Sequence, residues 1–535
     1  MPYFVFLWTD IFVHIMVLGM LAYGIRIVRS ASLRSAWASV ARTPSAMCAA
    51  VILLFFLLIG VLDSIHYRPL LPPLASQAEP DAGAGAQSAL VAKEVDDSDG
   101  MDVSDGGDAG ESPAATPTST GNQRVYSPVL RSALDDLLSL TQLPNREKTY
   151  SAPLAVRQFT KETELIDGQA VRDFPRLNYA GMHLEHESDH IADIRQRTLK
   201  GMAYGLGIAA ALAALLTLLH GRRQRSVSAA WRHWWHGLGG LPWRAMWLTL
   251  SALAIVVCTA LALSVNYHVL GTDRTGNDVL WQCLKSIRTA LVIGTLTTIA
   301  MLPPALGFGI AAGYFKGRID DVIQYIYTTL TSIPGVLLIA ASVMMMQVYI
   351  DTHPELFSTV AARADLRLFM LCLILGFTGW AGLCRLLRAE TLKLRELEYV
   401  QAARAFGVGN WRIMRRHLLP NVMHIVLITM VLEFSGLVLF EAVLSYLGIG
   451  VDPSMHSFGT MIDAARLEMS RDPMIWWNLL GAFIFLMVLV LSANIFADAV
   501  QAAFDPRTRR FLPRTRTART GQRLAVRDTT SEPGP

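Results

Sequence analysis

Residues 398–420, from Glu398 to Pro420, read EYVQAARAFGVGNWRIMRRHLLP. Glu398 to Phe406 favour helix, and Ala402, Ala403 and Ala405 give that helix a low-profile face able to fit a groove. Gly407 can take the left-handed conformation that ends a helix. Trp411, Ile413 and Met414 begin a second helix, which Pro420 limits. Arg404, Arg412, Arg415 and Arg416 make the stretch basic, and apolar runs lie on both sides of it. Such a glycine-hinged pair can lodge in a cleft of a partner chain and move as a rigid body with the flanking helices.

Those runs belong to a membrane-embedded chain of 535 residues that is 52% hydrophobic and only 17% charged. A helix crossing a bilayer needs about 20 mostly apolar residues. Segments that satisfy this are Tyr3–Ile27, Ala46–Leu62, Gly201–Leu219, Met246–Val265, Ala290–Tyr314, Tyr327–Val348, Phe369–Cys384, Ile425–Leu447 and Trp476–Phe496. The formal charge of +4 says little, because charge in such a protein is partitioned by compartment. Arginine placement is informative. Arg29, Arg34 and Arg42 follow the first span, Arg222, Arg223, Arg225, Arg232 and Arg244 the third, and Arg388, Lys393 and Arg395 the seventh, while the tail adds Arg507, Arg509 and Arg510 among others. All fall on one side if the N-terminus is outside and the C-terminus inside.

The first span lacks a basic leader and an A-x-A exit, which reads as an uncleaved anchor. Its Asp10 and His14 are costly at membrane depth; the ordinary solution places Asp10 near the outer headgroups and His14 against another helix. Cys48, Cys258, Cys283, Cys372 and Cys384 form no disulfide framework or CxxC pair and read as packing residues.

Residues 64–200 form a large outer insertion. Its part from 75 to 121, rich in Asp, Gly, Ala and Ser, reads as disordered. From Gln123 to Lys200, Leu130, Leu134, Leu137 and Leu138 recur at helical spacing, and Tyr150, Phe159, Phe174 and Tyr179 suggest a small folded element. His183, His186 and His190 would share a face if helical, as a metal site needs. A solvated acidic helix running into the third span fits HLEHESDH better, since it matches no closed ligand set. Trp231, Trp234, Trp235 and Trp243 among arginines read as an interfacial cytoplasmic linker. The boundaries that follow are 1–63 for two N-terminal helices, 64–200 for the insertion, 201–244 for a third helix and linker, 245–507 for a core, and 508–535 for a basic disordered tail.

Three motifs then occur in chain order: Gly271-Thr272-Asp273-Arg274-Thr275-Gly276-Asn277-Asp278; Gln401-Ala402-Ala403 with Gly407 and Leu419-Pro420; and Phe440-Glu441-Ala442-Val443-Leu444-Ser445-Tyr446-Leu447-Gly448. With them, the stretch from Trp243 to Arg507, roughly half the chain, resembles the permease subunit of oligopeptide/dipeptide-type binding-protein-dependent ABC importers. Asp505-Pro506-Arg507 closes that stretch as in the family. Two positions depart from its pattern: Gln401 stands where a glutamate is usual and Asn277 where an arginine is.

The resemblance implies an all-α polytopic membrane protein, with a six-helix type I importer core preceded by three extra spans and a large periplasmic insertion. It implies a second homologous permease, two ATPase subunits and a periplasmic solute-binding protein as partners, in a bacterial inner membrane. Coupling to the ATPases falls to Glu398, Gln401, Ala402, Ala403, Gly407, Leu419 and Pro420. The face for the binding protein falls to Gly271, Thr272, Asp273, Gly276 and Asp278. Glu433 and Glu441, two turns apart, are candidates for the translocation path, as contacts for a peptide amine or as members of an ion pair within the bundle. Pro303, Pro304, Gly307, Gly309 and Gly313, and Pro334-Gly335, permit kinks in the fifth and sixth spans. No G-x-x-x-x-G-K-[ST] loop occurs, so no cofactor and no ATPase activity are expected on this chain, and no nucleic-acid role. The expected cargo is a peptide or peptide-like solute; nickel or another non-peptide solute is the neighbouring alternative, and a non-transporting sensor with a ligand-binding insertion the alternative of another class.

Overall fold

The computed structural model describes residues 3–70, 127, 130–166, 169–224, 241–357 and 359–504. The expectations for 75–121, for Trp231, Trp234 and Trp235, and for the chain from Asp505 onward lie outside the described residues. Two units are distinguished: Met1–Val5 with His66–Ser132, and Phe6–Ile65 with Ala133–Pro535. The first contains a small antiparallel sheet of β1 (Tyr3–Val5), β2 (His66–Arg68) and β3 (Arg131–Ser132), with Phe4 opposite Tyr67. Tyr-Phe-Val favours a pleated strand, so the first span begins later than its hydropathy suggests.

The second unit is built of helices. In its N-terminal part, α1 (Trp8–Arg29), α2 (Ala31–Arg42) and α3 (Pro44–Asp63) follow one another with single-residue breaks. The short helix α2 turns Trp37 onto Phe496 and Phe504 near the end of the last helix. After the brief α4 (Ala133–Leu138) come a hairpin, β4 (Glu162–Ile166) and β5 (Gln169–Asp173), then the long α5 (His190–Gln224). The third span therefore starts about three turns before Gly201. It packs on α6 (Trp243–Ser264) because Gly201 and Gly205 admit the other backbone: a Cβ there would lie 2.6 Å from Thr259 Cα and 2.5 Å from Ile255 Cα respectively.

The core continues with α7 (Val279–Phe315), α8 (Arg318–Ser332), α9 (Gly335–Thr352), α10 (Val360–Gly379), α11 (Ala381–Arg395), α12 (Glu398–Ala405), α13 (Asn410–Ile413), α14 (Leu419–Tyr446), α15 (Phe458–Glu468) and α16 (Trp477–Phe504). Eight of the described helices are long and apolar enough to cross a membrane, and the α10–α11 pair, bent by 41°, makes a ninth. At 37 residues, α7 spans roughly 55 Å, well beyond the hydrocarbon thickness of about 30 Å. Its early turns therefore project toward the end of the bundle that carries the insertion. Pro303 and Pro304 lie inside α7 without ending it.

Two prolines also act differently from the sequence reading. Tyr327–Val348 is not one span, because Pro334 separates α8 from α9; the residue before a proline is driven out of the helical region, and Ile333 is extended. Pro420 does not stop the second helix of the loop. Met414–Leu418 widens into a π-turn that makes room for the proline ring, and α14 carries on directly.

Candidate functional site

The quoted loop is a helical hairpin held from within. α12 ends in a Schellman arrangement: Gly407, at φ +75°, donates to the Arg404 carbonyl at 3.1 Å, and Val408 N–H donates to that of Ala403 at 3.1 Å. Val400, Ile413 and Leu418 are buried against α7 and α11 residues. Outward point Gln401, Ala402, Arg404 and Ala405, together with Phe406 and Trp411, which are 87% and 72% exposed. Leaving two large aromatics in water beside arginines is unusual for a loop whose inner face is so well packed.

The hairpin is also tied to its neighbours. Lys316 Nζ meets Glu396 Oε1 at 2.9 Å, and this bond holds the Glu396 carboxyl below its usual range. Arg395 donates to the Tyr314 carbonyl at 2.8 Å, Tyr314 Oη to Asn410 at 2.9 Å, and Asn421 to Tyr399 Oη at 3.0 Å. Arg388 makes a two-pronged pair with Asp320 on α8, at 2.5 and 2.7 Å. Gln401 uses the property that a glutamate lacks: its Nε2 donates to the Glu396 carbonyl at 3.1 Å. Glu398, Gln401, Ala402, Ala403, Gly407, Leu419 and Pro420 are thus brought into one hairpin, although Leu419 is partly covered.

The turn at 271–278 is different. Gly271, Thr272, Gly276 and Asp278 are buried, Asp273 is half-buried, and Arg274 and Thr275 are exposed. Thr272 accepts from Ser151 N–H at 2.7 Å and donates to the Thr149 carbonyl at 2.9 Å; Trp477 donates to the Thr272 carbonyl at 3.0 Å. Asp273 closes the turn by accepting from the Thr275 and Asn277 amides. Asn277, where an arginine is usual, donates to Thr275 inside the turn. The lobe of the insertion (residues 141–181) therefore covers this turn and leaves Arg274 and Thr275 as its exposed residues.

Beneath the turn lies a charged cluster that sequence reasoning missed. His268 is fully buried, with Asp278 Oδ2 at 2.7 Å from Nδ1 and Glu147 Oε1 at 3.5 Å from Nε2. Glu147 also accepts the amides of Asn178, Tyr179 and Ala180. Burial by itself would depress the imidazolium, but the two carboxylates outweigh it and push the His268 pKa up to about 9 from an ordinary 6.5. A folded-state pKa above the unfolded one stabilises fully below about pH 6.5 and loses that contribution as pH rises through about 9. The lobe should accordingly lose stability across that window. The thermal midpoint of the full-length protein should fall from pH 6.5 to 9, and His268→Gln should flatten that fall; an unchanged slope in the variant contradicts it. A second key sits nearby: Tyr150 is hydrogen-bonded to the buried Glu468, which also accepts from Asn478 at 3.1 Å.

The other candidates separate. Glu441 is buried, accepts from Ser445 Oγ at 2.7 Å and lies against Gly459. Glu433 is exposed on the side of α14, so the two carboxylates do not share a buried face. The three histidines are not on one helix, since α5 starts only at His190. His183 pairs with Asp193 at 2.8 Å, His190 bonds the Leu154 carbonyl at 2.8 Å and His186 is exposed. Among the described residues no group of His, Cys, Asp or Glu is placed to hold a metal ion. Asp10, in the first turn of α1, is buried and 2.6 Å from Arg288. The five cysteines are free.

The architecture is that of a polytopic helical membrane protein whose late spans flank a well-packed, aromatic-tipped basic hairpin. Residues 305–510 match the model of the binding-protein-dependent transport system inner membrane component. The chain is 30% identical over 244 residues to the dipeptide transport system permease protein of Bacillus subtilis (strain 168), covering 45% of this chain and 70% of that protein. It is 31% identical over 242 residues to the oligopeptide transport system permease protein of Mycobacterium tuberculosis (strain ATCC 25618 / H37Rv), covering 45% and 77%. Over 245 residues it is 36% identical to a peptidoglycan transport system permease protein of Agrobacterium fabrum, covering 45% and 58%. The chain belongs to the family of inner-membrane permeases of binding-protein-dependent ABC importers, which work with ATPase and binding-protein partners.

Proposed function

We propose that this permease imports peptides or peptide-like solutes and takes its drive from ATPases on separate chains, which dock on residues 398–420. The observation that carries the proposal is the exposed pair Phe406 and Trp411, flanked by Arg404 and Arg412 and set on a hairpin whose inner face is locked to the core. An aromatic pair with arginine neighbours is what a tight protein contact uses. The loop end of the bundle, rich in arginine, is then cytoplasmic, the insertion and N-terminus are periplasmic and the C-terminus is cytoplasmic. The assembly has a second homologous permease, two ATPase subunits and a periplasmic solute-binding protein. Peptide cargo is supported by the dipeptide, oligopeptide and peptidoglycan systems to which the relatives belong.

Gln401 is a positioning residue in this reading. Gln401→Glu replaces the bond to the Glu396 carbonyl by a repulsion between acceptors, so α12 should loosen and uptake should fall several-fold, with the permease still inserted. Purification of the full-length permease with its ATPases tests the reading itself. Stable co-purification is expected, and an intact permease that never retains an ATPase contradicts it.

A further inference from the structure

The α10–α11 pair lies along α7 for its whole length. Gly376 sits so close to α7 that a Cβ would be 2.6 Å from Ala300 Cβ, and on the α7 side Gly309 and Gly313 would place theirs 2.8 Å from Leu387 Cβ and 2.6 Å from Thr391 Cβ. The pair runs directly into α12, with a bend at Trp380. Its far end carries Asp365, and there the N-terminal helix α1 is fastened. The Thr9 hydroxyl donates to Asp365, and Thr9 N–H donates to Asp365 Oδ2 at 3.2 Å. Arg288 Nη2 of α7 donates to Thr9 Oγ1 at 2.7 Å, meets Asp10 Oδ1 at 2.6 Å and reaches Asp365 Oδ1 at 3.5 Å. All four side chains are buried, and Trp8 lies beside Phe369, one turn further along α10.

We infer that α1 braces the strut that carries the ATPase-docking hairpin, with Thr9 and Asp10 as positioning residues for transport. The inference rests on the reading of residues 398–420 as the ATPase contact. Two helices that approach at glycines transmit displacement rather than absorb it, so motion imposed on α12 arrives at Asp365. There polar ties from Thr9 of α1 and Arg288 of α7 fix α10 at Asp365. Asp10 holds Arg288 in place to make them. A brace at the remote end sets the resting position of the hairpin and returns it there after each cycle. Lys285, one turn before Arg288, does the parallel task for α3 and α4 by pairing with Asp63 at 2.9 Å and Asp135 at 2.8 Å, away from α10.

The test uses the assembled importer in vesicles and measures ATP hydrolysed per solute taken up. Asp10→Asn and Thr9→Val should each raise that ratio at least threefold while the ATPases remain bound, and Thr9→Ser should restore it. Asp63→Asn, which loosens α3 instead, should leave the ratio near wild type. A merely structural role would lower assembly, and lower hydrolysis and uptake in proportion; an unchanged ratio in both α1 variants overturns the inference. Failure of the docking reading looks different: the ATPases would stay bound, and uptake would persist, when Trp411 is replaced by alanine.

Discussion

Replacing Phe406 and Trp411 together by alanine should abolish uptake while leaving the permease folded in the membrane. Both rings are exposed, so the isolated chain loses little from their removal, within about 0.5 kcal/mol for an ordinary surface change. If the ATPases dock here as proposed, the same rings would become buried anchors, and truncating an aromatic anchor typically costs about 2 kcal/mol or more. Two together amount to roughly 4 kcal/mol, or about a thousandfold in affinity for the ATPases. The readouts are ATPase retained on the purified permease and uptake into vesicles. Val400→Ala and Ile413→Ala are the informative contrast. Those side chains are buried, so their truncation acts by loosening the hairpin and should lower thermal stability as well as uptake. If the aromatic double variant keeps its ATPases, the exposed tip is not the contact.

The second large effect lies at the other end of the molecule. Gly276→Val should dislodge the lobe of the insertion. Gly276 has φ +76°, and a Cβ there would stand 1.8 Å from the Glu147 carbonyl oxygen and 2.5 Å from its carbon. Neither is the end of a flexible side chain, so backbone must move, and a β-branched residue adds strain in the left-handed region. The same displacement pulls Glu147 from His268 and from the three amides it accepts. A loss above about 4 kcal/mol is expected, the range of clashes and broken buried networks. It should appear as early proteolysis within residues 141–181 with the spans still inserted. Gly407→Ala provides the scale: Gly407 shares the positive φ but has open space around it, so only the conformational cost of about 1–2 kcal/mol applies. Equal effects of the two substitutions would contradict the keystone role of Gly276.

What could be read from the sequence followed from short-range chemistry. The glycine at 407 announced a helix end, and the structure closes it with the two bonds such a glycine permits. Spans rich in apolar residues announced themselves by length. Breaks that depend on how a proline is accommodated were harder. Pro334 divides a span and Pro420 does not, because a π-turn at Met414–Leu418 relieves the latter. Pairings across long separations left no local signal: Glu147 with His268, Tyr150 with Glu468, and Asp10 with Arg288 are joined only by the fold. The costly charge in the first span was visible as an anomaly at Asp10, and its partner was not. The motif at 271–278 was legible as a tight turn but not as a buried one, since nothing in those eight residues reveals the lobe that covers them. Similarly, two carboxylates eight apart on α14 suggested a shared face, yet an 80° offset sends Glu433 outward and Glu441 inward.

Docking of the ATPases on residues 398–420, as proposed, makes a specific demand on proximity. A photo-reactive residue placed at position 406 of the full-length protein, in the assembled importer, tests this directly. Cross-linking to the ATPase is predicted at 406 and at 411, and none at Leu140, an exposed position in the insertion. An active importer that forms no ATPase adduct from 402, 406 or 411 would contradict docking on this hairpin.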